Sequence, residues 1–129
     1  MKNCFSPFLY EYVRRWGEEK RRNDPEIFCR LAIEQKSEQC STNPLWIICD
    51  IRRYTDIDFF RKYFPEKILL VRIEASIETR TKRGWIFTED IDNAESECQL
   101  DKNVQWSFVF HNDKPENFNK QLNELMQLI

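Results

Sequence analysis

Arginine dominates the chemistry that this sequence can offer. Arg52 and Arg53 are adjacent, and Arg80 and Arg83 are three residues apart. A planar guanidinium fork matches two phosphate oxygens at once, where lysine is only a point charge. On a helix, Arg80 and Arg83 share a face. Such a pair can close over a transferring phosphoryl group and stabilise the charge that develops on its equatorial oxygens. Asp50 follows an apolar run, the position from which a Walker-B-like acid reaches a magnesium ion directly or through water. Each feature has a plainer alternative. Asp50 equally suits a turn or a helix cap, and Arg52 and Arg53 can pair with Asp56 or Asp58. A surface helix braced by Glu78 and Lys82 would carry Arg80 and Arg83 as solvated charge.

Other reactive types are few. The single histidine, His111, suits a general base or a hydrogen-bonding structural residue. Five cysteines (Cys4, Cys29, Cys40, Cys49 and Cys98) are an odd number with no C-x-x-C pair. They read as free thiols of a reducing compartment rather than a disulfide framework or a zinc site. A phosphate loop needs G-x-x-x-x-G-K-S/T so that backbone N–H groups can approach the phosphates closely. The only glycines are Gly17, before Glu18, and Gly84, before Trp85, so the pattern does not occur in these residues.

The totals fit a catalytic or small-ligand domain. The chain has 129 residues, 41% hydrophobic and 14% aromatic, enough to build one domain with a core and too apolar for disorder. The net charge of −2 excludes a general nucleic-acid binder, which needs a positive field over a whole face. No apolar run is long enough for a membrane helix.

These residues need elements to position them. Residues 8–22 read as a helix with Leu9, Val13 and Trp16 on one stripe. Asp24-Pro25 starts a second helix to about Glu38, with Ile27, Phe28, Leu31 and Ala32 on its face. Ser41 to Pro44 is a turn. Leu45 to Cys49 reads as a strand buried on both faces, Ile68 to Val71 as a second and Trp106 to Phe110 as a third. Helices are expected over Asp56 to Tyr63 and over Ser76 to Arg83, which Gly84 stops. A short one is expected over 93–99, and a closing one over Pro115 to Ile129 with Phe118, Leu122, Leu125 and Met126 inward. Strands alternating with helices predict an α/β fold with a parallel sheet covered on both faces. Ligands of such sheets bind beyond the strands' carboxyl ends. That edge would receive Asp50, Arg52 and Arg53, then Arg72 and Glu74, then His111, Asn112 and Asp113.

Several strings then carry a resemblance. Arg15-Trp16-Gly17-Glu18-Glu19-Lys20-Arg21, Phe28-Cys29-Arg30, and Trp46 to Asp50 with Arg52-Arg53 resemble the animal-type phosphomevalonate kinase family. So do Arg83-Gly84-Trp85-Ile86-Phe87-Thr88 and Asp92 with Ala94-Glu95-Ser96-Glu97-Cys98. The resemblance implies a P-loop NTPase, nucleoside-monophosphate-kinase-like fold with a three-layer parallel sheet. It implies one kinase-like domain over residues 1–129, with an atypical start at 1–12 and a lid-like segment at about 76–98. The implied reaction is transfer of the ATP γ-phosphoryl, with Mg²⁺, to (R)-5-phosphomevalonate in the cytosolic mevalonate route to isoprenoids and sterols. It implies Arg21, Arg30, Arg52, Arg53, Arg72 and Asn112 at the phosphorylated substrate. It implies Arg80 and Arg83 in the lid, and Arg83, Asp113 and Gln121 at ATP. Asp113 stands where relatives have histidine. The partner is a small molecule, not nucleic acid or membrane, and the chain is expected to be a monomer. The family's first strand, P-loop and first helix have no counterpart here, so the chain is expected to be the C-terminal two-thirds of such an enzyme. The alternative is a truncated, inactive form that binds substrate or a partner.

Overall fold

A computed structural model of the chain describes residues 7–34 and 45–129, with side chains from Glu11 onward. The turn expected at 41–44, the second helix's extension beyond Glu34, Cys4, Cys40 and the place of Leu9 lie outside that description. The chain divides into two compact units, Met1–Phe60 and Arg61–Ile129. Among the described residues no helix is long and apolar enough to cross a membrane.

The first unit is helical. α1 (Pro7–Asn23) starts on a proline and ends on Lys20, Arg21 and Arg22. The first removes an N–H that has no helical partner, and the second complements the negative end of the helix dipole. α2 (Ile27–Glu34) is led in by a turn at Asp24, whose carboxylate accepts the Glu26 N–H at 3.1 Å and whose carbonyl accepts the Ile27 N–H at 3.2 Å. The start signal expected at Asp24-Pro25 is there, but the helix itself opens two residues after Pro25. Trp16 meets Phe28 edge-on at 6.1 Å, joining α1 to α2. Otherwise Val13 and Trp16 of the stripe expected on α1, and Leu31 of the face expected on α2, are exposed. α3 (Tyr54–Tyr63) is held at its start by Asp56, which accepts the N–H groups of Arg52 at 3.2 Å and Arg53 at 3.1 Å. An acid in the first turn reaching back to the chain ahead of it is half of a capping box.

The expected strand at 45–49 is not formed. Leu45 to Cys49 runs without regular structure and Ile47 is 79% exposed. A strand needs a neighbour to take its N–H and C=O groups, and the described sheet contains only two other strands. Asp50 therefore ends no buried strand. It turns the chain with a φ of 69°, a conformation that aspartate tolerates better than most residues.

The second unit contains that sheet. β1 (Val71–Glu74) and β2 (Phe108–His111) are parallel, with Val71 opposite Phe108 and Glu74 opposite His111. Pairing begins at Leu70, whose carbonyl accepts Ser107 N–H at 2.9 Å. The expected second strand is thus displaced toward its carboxyl end, because the partner's register and not the apolar run sets its limits. Both faces are not covered as expected: Ile73 is 69% exposed. α4 (Ile77–Lys82) follows β1, then α5 (Glu95–Cys98) with a short 3-10 turn Gln99–Asp101, then β2. A second 3-10 turn, Pro115–Asn117, leads into α6 (Phe118–Met126). Phe110 and Leu100 are the buried centre, and Phe118 packs edge-on against Phe110 at 5.3 Å. The inward face expected for α6 is mostly open at Phe118, Leu122 and Met126, since two strands offer a helix little surface to cover.

Candidate functional site

In the first unit, each candidate arginine grips a carboxylate of the chain itself. Arg21 Nη1 donates to Asp56 Oδ1 at 2.8 Å and stacks over Phe28 at 4.8 Å. Asp56 is only 2% exposed. A buried carboxyl group must be fully partnered, and Arg21, two backbone N–H groups and the Cys29 thiol at 3.5 Å do this. Burial, with Asp56 next to it, pushes the Cys29 thiol up to about 12. Arg30 pairs with Asp24, which raises its already high pKa further. Arg53 Nη2 meets Glu18 at 2.5 Å, and Arg52 Nε meets Asp50 at 2.7 Å. The plainer expectation had Arg52 and Arg53 paired with Asp56 or Asp58. Asp56 does hold them, but by their backbones.

The fit of a metal to Asp50 is limited. Its carboxylate is exposed and bound to Arg52. Among the described residues no group of three or more His, Cys, Asp or Glu could hold an ion. Magnesium is often held by one or two carboxylates together with substrate phosphates, so Asp50 fits that ion only as a single ligand.

In the second unit, a cleft of about 780 Å³ lies beyond the carboxyl ends of β1 and β2. This is where an open α/β sheet binds ligands. Arg72 and Arg80 line it, with Trp85, Phe87 and Ile77 as its apolar part. Five carboxylates also line it: Glu74, Asp92, Glu97, Asp101 and Asp113. By charge alone the cleft would repel a phosphate. Most of those acids are already engaged, however. Arg72 takes two of them, Glu74 at 2.9 Å and Asp101 at 2.5 Å, donates to Leu100 O at 2.9 Å and lies over Trp106. Asp92 accepts the Trp85 indole N–H at 3.2 Å and the Thr88 N–H at 2.6 Å. Asp113 accepts the Ser76 N–H at 2.8 Å and its hydroxyl at 2.7 Å.

Arg72 stands on β1, while α4 carries Arg80. Ser76 caps its start by accepting the Thr79 N–H at 3.2 Å. At its end, Gly84 N–H donates to Thr81 O and Trp85 N–H to Arg80 O, with Gly84 at φ 91°. That is a Schellman ending, which needs a residue free to adopt positive φ. It folds Trp85 back beneath Arg80, whose guanidinium lies 4.5 Å from the ring centroid. Arg83 forms the C-cap. Asn112 N–H continues the sheet ladder to Glu74 O at 2.7 Å. Gln121 lies on α6 and bridges the outer edge of β2, accepting His111 N–H at 2.8 Å and donating to His111 O at 3.0 Å.

The cleft therefore brings together Arg72, Arg80 and Asp113. Arg83, Asn112 and Gln121 belong to the same unit without lining it, and Asp50, Arg21, Arg30, Arg52 and Arg53 belong to the other unit. Sequence reasoning gave no site role to Ser76, Trp85 or Asp92. A signal for two of them was present: Ser76 three residues before Thr79 is a cap pattern, and Gly84-Trp85 marks the helix stop.

Comparison with known proteins adds the following. Residues 10–66 match the phosphomevalonate kinase family model. Over 99 residues the chain is 42% identical to phosphomevalonate kinase of Drosophila melanogaster, a match that covers 74% of this chain and 52% of the relative. The chain thus spans about half the length of that relative. Through these matches, the chain that builds this cleft resembles the phosphomevalonate kinase family.

Proposed function

We propose that this chain carries the acceptor-binding and lid parts of a phosphomevalonate kinase. The reading joins ATP-dependent phosphorylation of (R)-5-phosphomevalonate, the isoprenoid and sterol pathway, a cytosolic location and a monomer. The fold it belongs to is the P-loop NTPase, nucleoside-monophosphate-kinase-like type, with residues 1–129 as one domain and about 76–98 as its lid. The observation that carries the reading is Arg80, held on a short capped helix and lining a cleft beyond two parallel strands.

Arg21, Arg30, Arg52, Arg53 and Arg72 would hold the phosphorylated acceptor, with Asn112 beside it. At Arg30, Arg52 and Arg53 an incoming phosphate would replace the internal carboxylate by exchange of charge-assisted bonds. Arg21 and Arg72 are fastened by several groups each, so they support the site more than they move. Arg80 and Arg83 close on the phosphoryl group in flight, and Arg83 also meets ATP. Asp113 and Gln121 frame the ATP end through the backbone they fasten. Magnesium would neutralise charge on the ATP phosphates when bound, and Asp50 would be the carboxylate of this chain that holds it.

These 129 residues contain no P-loop pattern, and phosphoryl transfer depends on phosphate positioning and charge stabilisation. That favours a second reading, an inactive binding module. Coupled ADP release with ATP, Mg²⁺ and phosphomevalonate separates the two. The 129 residues alone should give little or no turnover. A folded protein extended at its N-terminus by a strand, P-loop and helix should release ADP under the kinase reading. Its failure to do so would favour the binding module.

A further inference from the structure

We propose that Asp113 is a positioning residue that fastens the start of α4 to the carboxyl end of β2 and so sets where Arg80 and Arg83 stand. The inference rests on the reading of those arginines as the lid. Helices as short as α4, with six residues, do not hold themselves in water, so α4 needs anchors from outside. Asp113 supplies the first across 37 positions of chain. Its Oδ1 accepts both the backbone N–H and the hydroxyl of Ser76. That same hydroxyl oxygen accepts the Thr79 N–H, and Ser76 O accepts the Arg80 N–H at 3.0 Å. One carboxylate thereby orders the residue that starts the helix, and the first helical bond ends on Arg80 itself. Thr79 and Arg83 also act on the Asp113 carboxylate and help to hold its pKa at about 2. Asp92 anchors the other end, through Trp85 under Arg80. Two acids of an otherwise unfavourable anion cleft thus hold the helix that brings in its positive charge.

The test is amide hydrogen exchange by NMR on the 129-residue chain without ligand, in wild type, Asp113→Ala and Asp113→Asn. Losing the anchor should speed exchange at Arg80 and Arg83 about fivefold or more in Asp113→Ala, as loss of a helix cap does. The Trp85 indole signal should shift with it, while exchange in α6 stays as it was. Asp113→Asn keeps an acceptor oxygen without the charge and should restore part of the protection. Unchanged exchange at Arg80 in Asp113→Ala, equal acceleration in α6, or a fixed Trp85 indole signal would overturn the proposal. Titrating Mg-ATP into the wild-type chain tests the lid reading separately. No response at Trp85 counts against that reading and leaves the exchange comparison intact.

Discussion

Arg21 and Asp56 make a pair in which a nearly buried carboxyl group depends on one guanidinium and two backbone N–H groups. Removing one partner of such a pair leaves the other desolvated without compensation, so Arg21→Ala should lower stability by about 2 kcal/mol. Urea unfolding measures it, and an unchanged midpoint would contradict the structural share given to Arg21. Arg30→Ala, whose pair with Asp24 is half-exposed, should change the midpoint far less. The thiols differ in the same way. With its pKa at about 12, Cys29 should react with iodoacetamide much more slowly at pH 8 than the exposed Cys49, because only the thiolate attacks. Equal rates in the folded protein would contradict the burial. Asp113 sets a pH window. Its folded pKa, about 2, lies below the ordinary 3.8, so its contribution is complete above about pH 4 and is lost as pH falls through about 2. Exchange at Arg80 should therefore quicken relative to α6 at the acid end of that window.

At the scale of elements, α4 and its ending matter most. Gly84 has φ 91° and open space where a Cβ would stand. Gly84→Ala should thus cost only the backbone strain, about 1 kcal/mol, and it should loosen Trp85 from Arg80. Thermal unfolding together with the Trp85 indole signal checks both. These local signals were legible in the sequence: Asp24 before a proline, Ser76 before Thr79, and Gly84 as a stop all act within a few residues. Strand limits were not, because they depend on the partner. Ile68 to Val71 looked like a strand by its apolar run, yet the pairing with Phe108 to His111 sets β1 at Val71–Glu74. Leu45 to Cys49 had the composition of a buried strand and finds no strand to pair with in the described sheet. The inward face expected of α6 fails for the same reason.

At the scale of the whole molecule, the site was legible as residue types and not as arrangement. The arginines stood out by kind and spacing. That five carboxylates share a cleft with Arg72 and Arg80 could not be read, since Asp101 and Asp113 reach it from distant parts of the chain. Nor could it be read that Gln121 spends its amide on the edge of β2. The resemblance to phosphomevalonate kinase gives the arginines their proposed ligand. Calorimetric titration of the 129-residue chain with (R)-5-phosphomevalonate tests that claim most directly. One molecule should bind per chain, and Arg52→Ala or Arg53→Ala should weaken it about tenfold, the value of a lost charge-assisted hydrogen bond. No binding, or the same affinity in both variants, would contradict the account.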